Sequence, residues 1–276
     1  MRTRTLAWIA ATSLAATSVA ATPVAAADCA ANNPLSASYV SAWAAKYHAT
    51  KYQVTVYDVR RDCTFAVSTY SGTFPTASTV KVMIAVQTLQ RVADGQTSYS
   101  SVSGSLKSMI TVSSNTSAQR LYRKMGGAAG IRKVAKRYGL TRTAPGRKWG
   151  VTKTTASDQV LLLRRAVLEP STRLPATQRR TLVRLMRQVT PEQRWGAGKG
   201  LPTGWRAAVK NGWYHTVAGD EGPVNRSRVN TMGIVWDDAG QPRYVIAAFS
   251  NRWRTDAAGM RAWNAMSRHV AGVLSD

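Results

Sequence analysis

The sequence predicts an α/β fold of the α+β kind: a five-stranded antiparallel sheet flanked by terminal helices, with an all-α region inserted between the early and late strands. Three observations point there. Segments rich in β-branched and aromatic residues fall into two groups, one near each end of the chain. The middle of the chain carries helical periodicity broken by Gly, Pro and Ser. Helical patterns close both ends of the globular part, where they can cover a sheet.

The elements follow in order. Arg2 and Arg4 precede an apolar run from Leu6 to about Ala21, then Thr22, Pro23 and the small residues Ala25, Ala26 and Ala27. This is the layout of a secretory signal peptide cut after Ala27, so residues 1–27 are set aside and the protein is expected to be secreted. Asp28 stands where lipidation of Cys29 requires a small residue, which makes Cys29 a poor acylation site. Leu35, Tyr39, Trp43 and Tyr47 recur every four residues and predict a helix over 35–48. Val54, Val56 and Tyr57 predict a strand, the turn Arg60-Arg61-Asp62 follows, and 63–69 predicts a second strand. Residues 79–92 are apolar almost all round, the pattern of a helix buried on every side. Further helices are predicted over 105–110, 117–125, 128–138, 157–168 and 175–187. Strand signals return over 206–212, 230–236 and 244–250, and a helix over 256–274 closes the chain. The sheet part would then comprise 28–74 and 205–276, and the helical part 75–204. No run after the leader is long and apolar enough to span a membrane.

Composition narrows the function classes. The chain has 276 residues, 44% of them hydrophobic, which excludes a disordered protein. Two cysteines and three histidines make a Cys/His zinc site improbable, and no metal or cofactor is expected. In an oxidising compartment Cys29 and Cys63 are expected to form a disulfide; a reactive thiol is the rival reading, with no His or second Cys placed to activate it. Lys and Arg number 38 against 13 acids, a formal charge of +25. Eleven basic residues and no acid fall between Asn115 and Asp158. Such a face suits an anionic cell-wall polymer, although a high charge also serves solubility alone. Nucleic acid is disfavoured, because neither zinc-finger spacing nor an aromatic RNA-binding signature is present. A monomer is the expected state.

The chemistry-bearing residues come in three groups. Ser78 and Lys81 lie three apart at the start of the buried helix and so share one face. A lysine in an apolar helix loses proton affinity on burial and becomes a usable base for a serine hydroxyl; the bland alternative is a lysine snorkelling to solvent. Ser113-Ser114-Asn115 stands before a helix and, taken alone, reads as an ordinary N-cap. Lys210-Asn211-Gly212, followed by Trp213, ends a late strand and, taken alone, reads as a strand end.

Together and in this order, the three motifs resemble those of the penicillin-recognising active-site serine hydrolases, and within them the class A β-lactamases. The resemblance covers nearly the whole chain after the leader and implies the same sheet with a helical insertion. It implies Ser78 as the nucleophile that forms an acyl-enzyme, Lys81 as acceptor of its proton, and Ser113 as relay to the leaving nitrogen. Asn115 would hold the substrate's amide carbonyl and contact Lys81. Lys210 would attract a substrate carboxylate and tune Ser113. Gly212 would let substrate pack on the strand. The backbone N–H groups of Ser78 and Trp213 would form the oxyanion hole, each donor worth about 3 kcal/mol in the transition state.

Four departures qualify this resemblance. Ser114 replaces the Asp of the second motif. Asn211 replaces the Thr or Ser of the third, so a hydroxyl facing the substrate carboxylate would become an amide. The region 141–154, where class A enzymes carry the Glu that activates the deacylating water, holds Arg142, Arg147, Lys148 and Lys153 and no acid. The segment between Ser78 and Ser113 is also shorter than in class A, which would open one wall of the cleft. The sequence therefore points to a secreted serine hydrolase of the β-lactamase or D-Ala-D-Ala peptidase type, acting on an amide or ester, with weak β-lactam turnover. The alternative is a catalytically degenerate cell-wall- or ligand-binding protein on the same fold. Asp220 and Glu221 could replace the absent acid only if their loop folds back. His215 borders the expected cleft, whereas His48 and His269 read as surface or packing residues. Trp195, Trp205 and Trp213 read as packing residues that could also line a pocket.

Overall fold

The computed structural model describes residues 26–169, 173–217 and 224–275. The chain opens with helices α1 (Ala26–Ala31) and α2 (Ala37–Tyr47), then strands β1 (Lys51–Asp58), β2 (Cys63–Ser68) and the short β3 (Phe74–Pro75). A 3-10 turn over Ala77–Val80 leads into α3 (Lys81–Ala93). Helices α4 (Ser100–Thr111), α5 (Asn115–Lys124) and α6 (Gly127–Tyr138) follow. Next come the short β4 (Lys153–Thr154), α7 (Ala156–Leu163) with a π-helical extension Arg164–Leu168, and α8 (Ala176–Arg187). Strands β5 (Arg206–His215), β6 (Ser227–Trp236) and β7 (Pro242–Asn251) and helix α9 (Asp256–Val273) complete it. The five long strands form one antiparallel sheet in the order β2-β1-β7-β6-β5. This is the sheet the sequence predicts. Of the predicted leader, residues 1–25 lie outside the described residues, and Ala26 and Ala27 open α1. Among the described residues no helix is long and apolar enough to cross a membrane.

The sheet is covered on both faces, so its middle strands are buried along their length. Every residue of β6 and all but the first of β1 is buried. On one face, α2 and α9 meet through aromatic rings. Trp43 stacks on Trp263 at 5.1 Å between centroids and meets Tyr52 edge-on at 5.1 Å. Trp43 Nε1 donates to the carbonyl of Ala262, and Trp263 Nε1 to that of Val229, both at 2.9 Å. These indoles bury a large apolar surface and still satisfy their one donor. On the other face α3 runs through the helical layer with ten buried residues, Lys81 among them.

Two local differences from the sequence reading have physical reasons. The predicted helix over 79–92 is split, because Ala77 takes a left-handed φ of 49° and the chain needs a 3-10 turn before α3 can begin at Lys81. Helix α4 starts at Ser100, ahead of the predicted 105, since its first turn is serine-rich and weak in intrinsic helix preference; Val102 and Leu106, both buried, anchor it.

The turn that carries Ser78 is held from three sides. Strands β3 and β4 pair Phe74 with Thr154 and Pro75 with Lys153, and the Thr76 N–H donates to the Thr152 carbonyl at 2.8 Å. From β6, the buried amide of Asn230 donates to the carbonyls of Pro75 at 2.9 Å and Thr76 at 3.1 Å. From β5, Gly212 leaves its side-chain space to the turn: a Cβ there would stand 2.5 Å from Ser78 N and 2.8 Å from Thr79 N. Gly212↔Asn230 is a register pair of β5 and β6, so one rung of the ladder both accommodates and grips the turn.

Cys29 and Cys63 form a disulfide with Cα atoms 5.7 Å apart, which joins α1 to the start of β2. Replacement Cys29→Ser is expected to lower stability by roughly 2–5 kcal/mol, read from the denaturant midpoint at unchanged slope. Gly212→Ala is expected to cost about 1–3 kcal/mol, because its methyl meets backbone atoms of the Ser78 turn; the same denaturation experiment checks it.

Candidate active site

Two of the sequence-predicted lysines, Lys81 and Lys210, converge on one hydroxyl, that of Ser113. Ser78 is half-buried in its 3-10 turn, and Lys81 opens α3 fully buried. Ser113, in the loop before α5, holds a left-handed φ of 58°. Lys210 on β5 is fully buried. Lys81 Nζ donates to the Ser113 carbonyl at 2.6 Å, to Ser113 Oγ at 3.0 Å and to Asn115 Oδ1 at 2.9 Å. Lys210 Nζ donates to the same Ser113 Oγ at 3.0 Å and to the Asn211 carbonyl at 2.9 Å. Two ammonium groups thus share one hydroxyl. The three hydrogen bonds of Lys81 run to Ser113 and Asn115 and none to Ser78, which lines the open cleft.

Burial governs the electrostatics. It lowers the Lys81 pKa to about 8. Lys210 is held well below the usual lysine range, first by burial and then by the charge of Lys81. The Trp149 ring centroid lies 5.1 Å from Lys81 Nζ and offers a polarisable face to whichever proton state is present. A lysine that is neutral in an appreciable fraction near pH 7 can accept a proton from a nearby hydroxyl. The left-handed residues Ala77 and Ser113 store backbone strain beside Ser78 and at Ser113 itself, where the surrounding hydrogen bonds compensate it.

The cleft has a volume of about 480 Å³ and is lined by Ser78, Asn115, Gln119, Tyr122, Trp149 and Trp213, among others. Among the described residues, none that lines it is acidic. Its outer wall is the loop over 139–155, pinned at both ends. Asp158, buried in the first turn of α7, accepts from Arg142 N at 2.9 Å and Thr143 Oγ1 at 2.6 Å. The loop's other end is the β3–β4 pair. Trp149 Nε1 donates to Gln119 Oε1 at 3.2 Å and ties the loop across to α5. Among the described residues, no three His, Cys, Asp or Glu side chains converge to hold a metal ion.

The remaining predicted residues divide. Asn115 lines the cleft and binds Lys81. Ser114 serves as N-cap of α5, its Oγ accepting from Ser117 N at 3.2 Å. Trp213 lines the cleft and meets Trp195 edge-on at 5.8 Å. The Asn211 amide is not brought into the cleft. It alternates to the other face of β5 from Lys210 and Gly212 and donates to the carbonyls of Gln193 at 2.7 Å and Trp195 at 2.9 Å. Gly212 accommodates the Ser78 turn where open substrate space was expected. His215 is exposed, with Nδ1 3.1 Å from Ser227 Oγ, and Trp205 lies against the Arg243 guanidinium, away from the cleft. His48 ends α2 in a left-handed conformation, and His269 stacks on Tyr39 at 3.4 Å. Asp220 and Glu221 lie outside the described residues. Asn230 and Asp158 were not singled out in the sequence. For Asp158 the available signal was an acid placed to follow a Thr N-cap; Asn230, in a strand that also carries Ser227, Arg228 and Thr231, offered none.

Comparison with known proteins agrees with this architecture. A β-lactamase from Xanthomonas campestris pv. campestris superposes with a TM-score of 0.71 at 19% identity, covering 86% of this chain and 98% of that one. An ancestral class A β-lactamase gives 0.67 at 22% identity, over 85% and 98%. The structure of PBP-A gives 0.67 at 21% identity, over 81% and 89%. At these identities the likeness establishes the fold. Among curated sequences, LppW, a proposed lipoprotein of Mycobacterium tuberculosis and Mycobacterium bovis, is 32% identical over 168 residues, 55% of this chain and 53% of its own length. The chain thus spans about half the length of the curated relatives it matches. The Beta-lactamase enzyme family matches residues 35–102 and 97–274, between them the whole sheet and the helical layer. With Ser78, Lys81, Ser113 and Lys210 gathered on that frame, the chain belongs to the β-lactamase enzyme family.

Proposed function

We propose that this protein is an exported serine hydrolase that forms an acyl-enzyme on Ser78 with an amide or ester substrate. One observation carries the reading: a buried Lys81, one helical turn from Ser78, with Ser113 and Asn115 as its hydrogen-bond partners and its pKa lowered to about 8. A protein that only binds ligand has no physical need for such a lysine, since burying it costs several kcal/mol.

The steps follow from the geometry. Neutral Lys81 accepts the hydroxyl proton of Ser78 after a side-chain rotation that brings Oγ toward Nζ, and Oγ attacks the substrate carbonyl carbon. Backbone N–H groups of Ser78 and Trp213 receive the oxyanion. When the tetrahedral intermediate collapses, the carbonyl carbon–nitrogen bond breaks. The nitrogen takes the proton of Ser113 Oγ, which is replaced from Lys81 or Lys210, both 3.0 Å away. Asn115 orients the substrate amide. Hydrolysis of the ester then needs a base for water, and the cleft wall offers Trp149, Arg147 and Lys148 where a carboxylate would serve. A β-lactam adduct, whose ring fragment stays attached and blocks water, should therefore persist.

Export fits the disulfide, which belongs to oxidising compartments. The lipoprotein name of the mycobacterial relatives does not transfer to Cys29, whose sulfur is engaged with Cys63. The basic helices and loop over 115–158 would hold the enzyme near anionic wall polymer.

Intact-mass measurement after incubation with benzylpenicillin is expected to show one adduct that outlasts hours, mapping to Ser78 and absent in Ser78→Ala; an adduct on the Ala variant would sink the assignment. The acylation rate should rise about tenfold per pH unit below pH 8 and level off above it, because the reactive form is the unprotonated amine. Lys81→Ala is expected to lower that rate by about 10²–10⁴ and to remove the inflection, both read by stopped-flow or timed mass spectra.

A further inference from the structure

A second recess, of about 310 Å³, adjoins the cleft of Ser78 and shares Arg147, Val151 and Tyr214 with it. Arg228, on β6 opposite Tyr214 of β5, forms part of its wall and is only 2% exposed. The guanidinium lies 5.0 Å from the Tyr214 ring centroid and Nη1 donates to the Tyr214 hydroxyl. Its buried Nε has no hydrogen-bond partner. Arg147 and Lys153 border the same recess, and among the described residues no acid lines it. Lys153 is held below the usual lysine range by burial and by the positive charges of Arg228 and Lys51. A guanidinium removed from water with an unfilled donor is costly unless an anion meets it, and its planar fork matches a carboxylate.

We propose that this recess is an anion subsite that takes a carboxylate on the acyl arm of the substrate. The proposal rests on the acyl-transfer reading of Ser78. In that reading the leaving half lies against Ser113 and Lys210, so the part of the substrate that reaches past Tyr214 is the acyl arm. The substrate class is then an amide or ester whose acyl side carries a free carboxylate near the scissile carbonyl.

Carbenicillin and benzylpenicillin test this, because they share a ring system and differ by one carboxylate on the acyl arm. In the wild-type protein carbenicillin should acylate Ser78 at least tenfold faster, as second-order rate constants from intact mass at low salt. In Arg228→Gln the ratio should fall to near one, and Arg228→Lys should restore part of it. A wild-type ratio near one overturns the subsite, whether or not the Arg228 variants fold. If neither drug forms an adduct, the acyl-transfer reading fails and the subsite is judged separately by calorimetry on Ser78→Ala. Phenylmalonate binding at least tenfold tighter than phenylacetate would then uphold the subsite, and equal binding would overturn it. A preference that emerges only in an Asp220→Asn, Glu221→Gln double variant would show that the chain's own carboxylates fill the recess, which overturns the substrate assignment.

Discussion

Two buried ammonium groups share the hydroxyl of Ser113, and among the described residues no acid lines the adjoining cleft to neutralise them. Much of the site's construction answers that constraint. Both charges cannot be held fully in a dry pocket, so proton affinity drops in each lysine, most in the deeper Lys210. The donors are met by neutral acceptors only: two hydroxyl or amide oxygens and two backbone carbonyls. An arrangement of this kind is tolerated because the frame around it is stiff.

The stiffness has identifiable sources. Asn230 grips the carbonyls that precede Ser78, Gly212 makes room for the turn, and Asp158 fixes the entry of the opposite loop. Asn230 and Asp158 are buried polar side chains, and Gly212 is a position where the side chain is absent. Such groups are retained only when every hydrogen bond finds its partner, and their loss is felt at the site they position more than in the fold at large. The aromatic contacts of Trp43, Trp263 and Tyr52 have the complementary task of locking the terminal helices onto the far face of the sheet.

How much of this was legible depended on distance along the chain. Ser78 and Lys81 were readable because three residues on a helix share a face, and Asn115 because it opens a helix two residues after Ser113. The five strands were readable from β-branched runs, although β3 and β4, two residues each, exist only through one another. Asn230 and Arg228 were not legible: their partners lie at Pro75 and Tyr214, and nothing near them in sequence announces that a buried amide or guanidinium is wanted. Asn211 shows the other failure. Strand alternation separates it from Lys210 and Gly212, but which face meets the cleft is decided by the order of strands in the sheet, so its donors could be assigned to the loop at Gln193 and Trp195 only from the structure.

The sheet order also dictates when the molecule can come into being. Strand β1 lies between β2 and β7, with Lys51 paired to Asn251. A chain emerging from the N-terminus first therefore presents only the β1–β2 hairpin until nearly all of it is available, and a lone hairpin is marginal in water. Contacts of such long sequence separation slow folding and leave apolar strands uncovered meanwhile. Strand β7 and helix α9, which follow every other described element in the chain, are those that close the core.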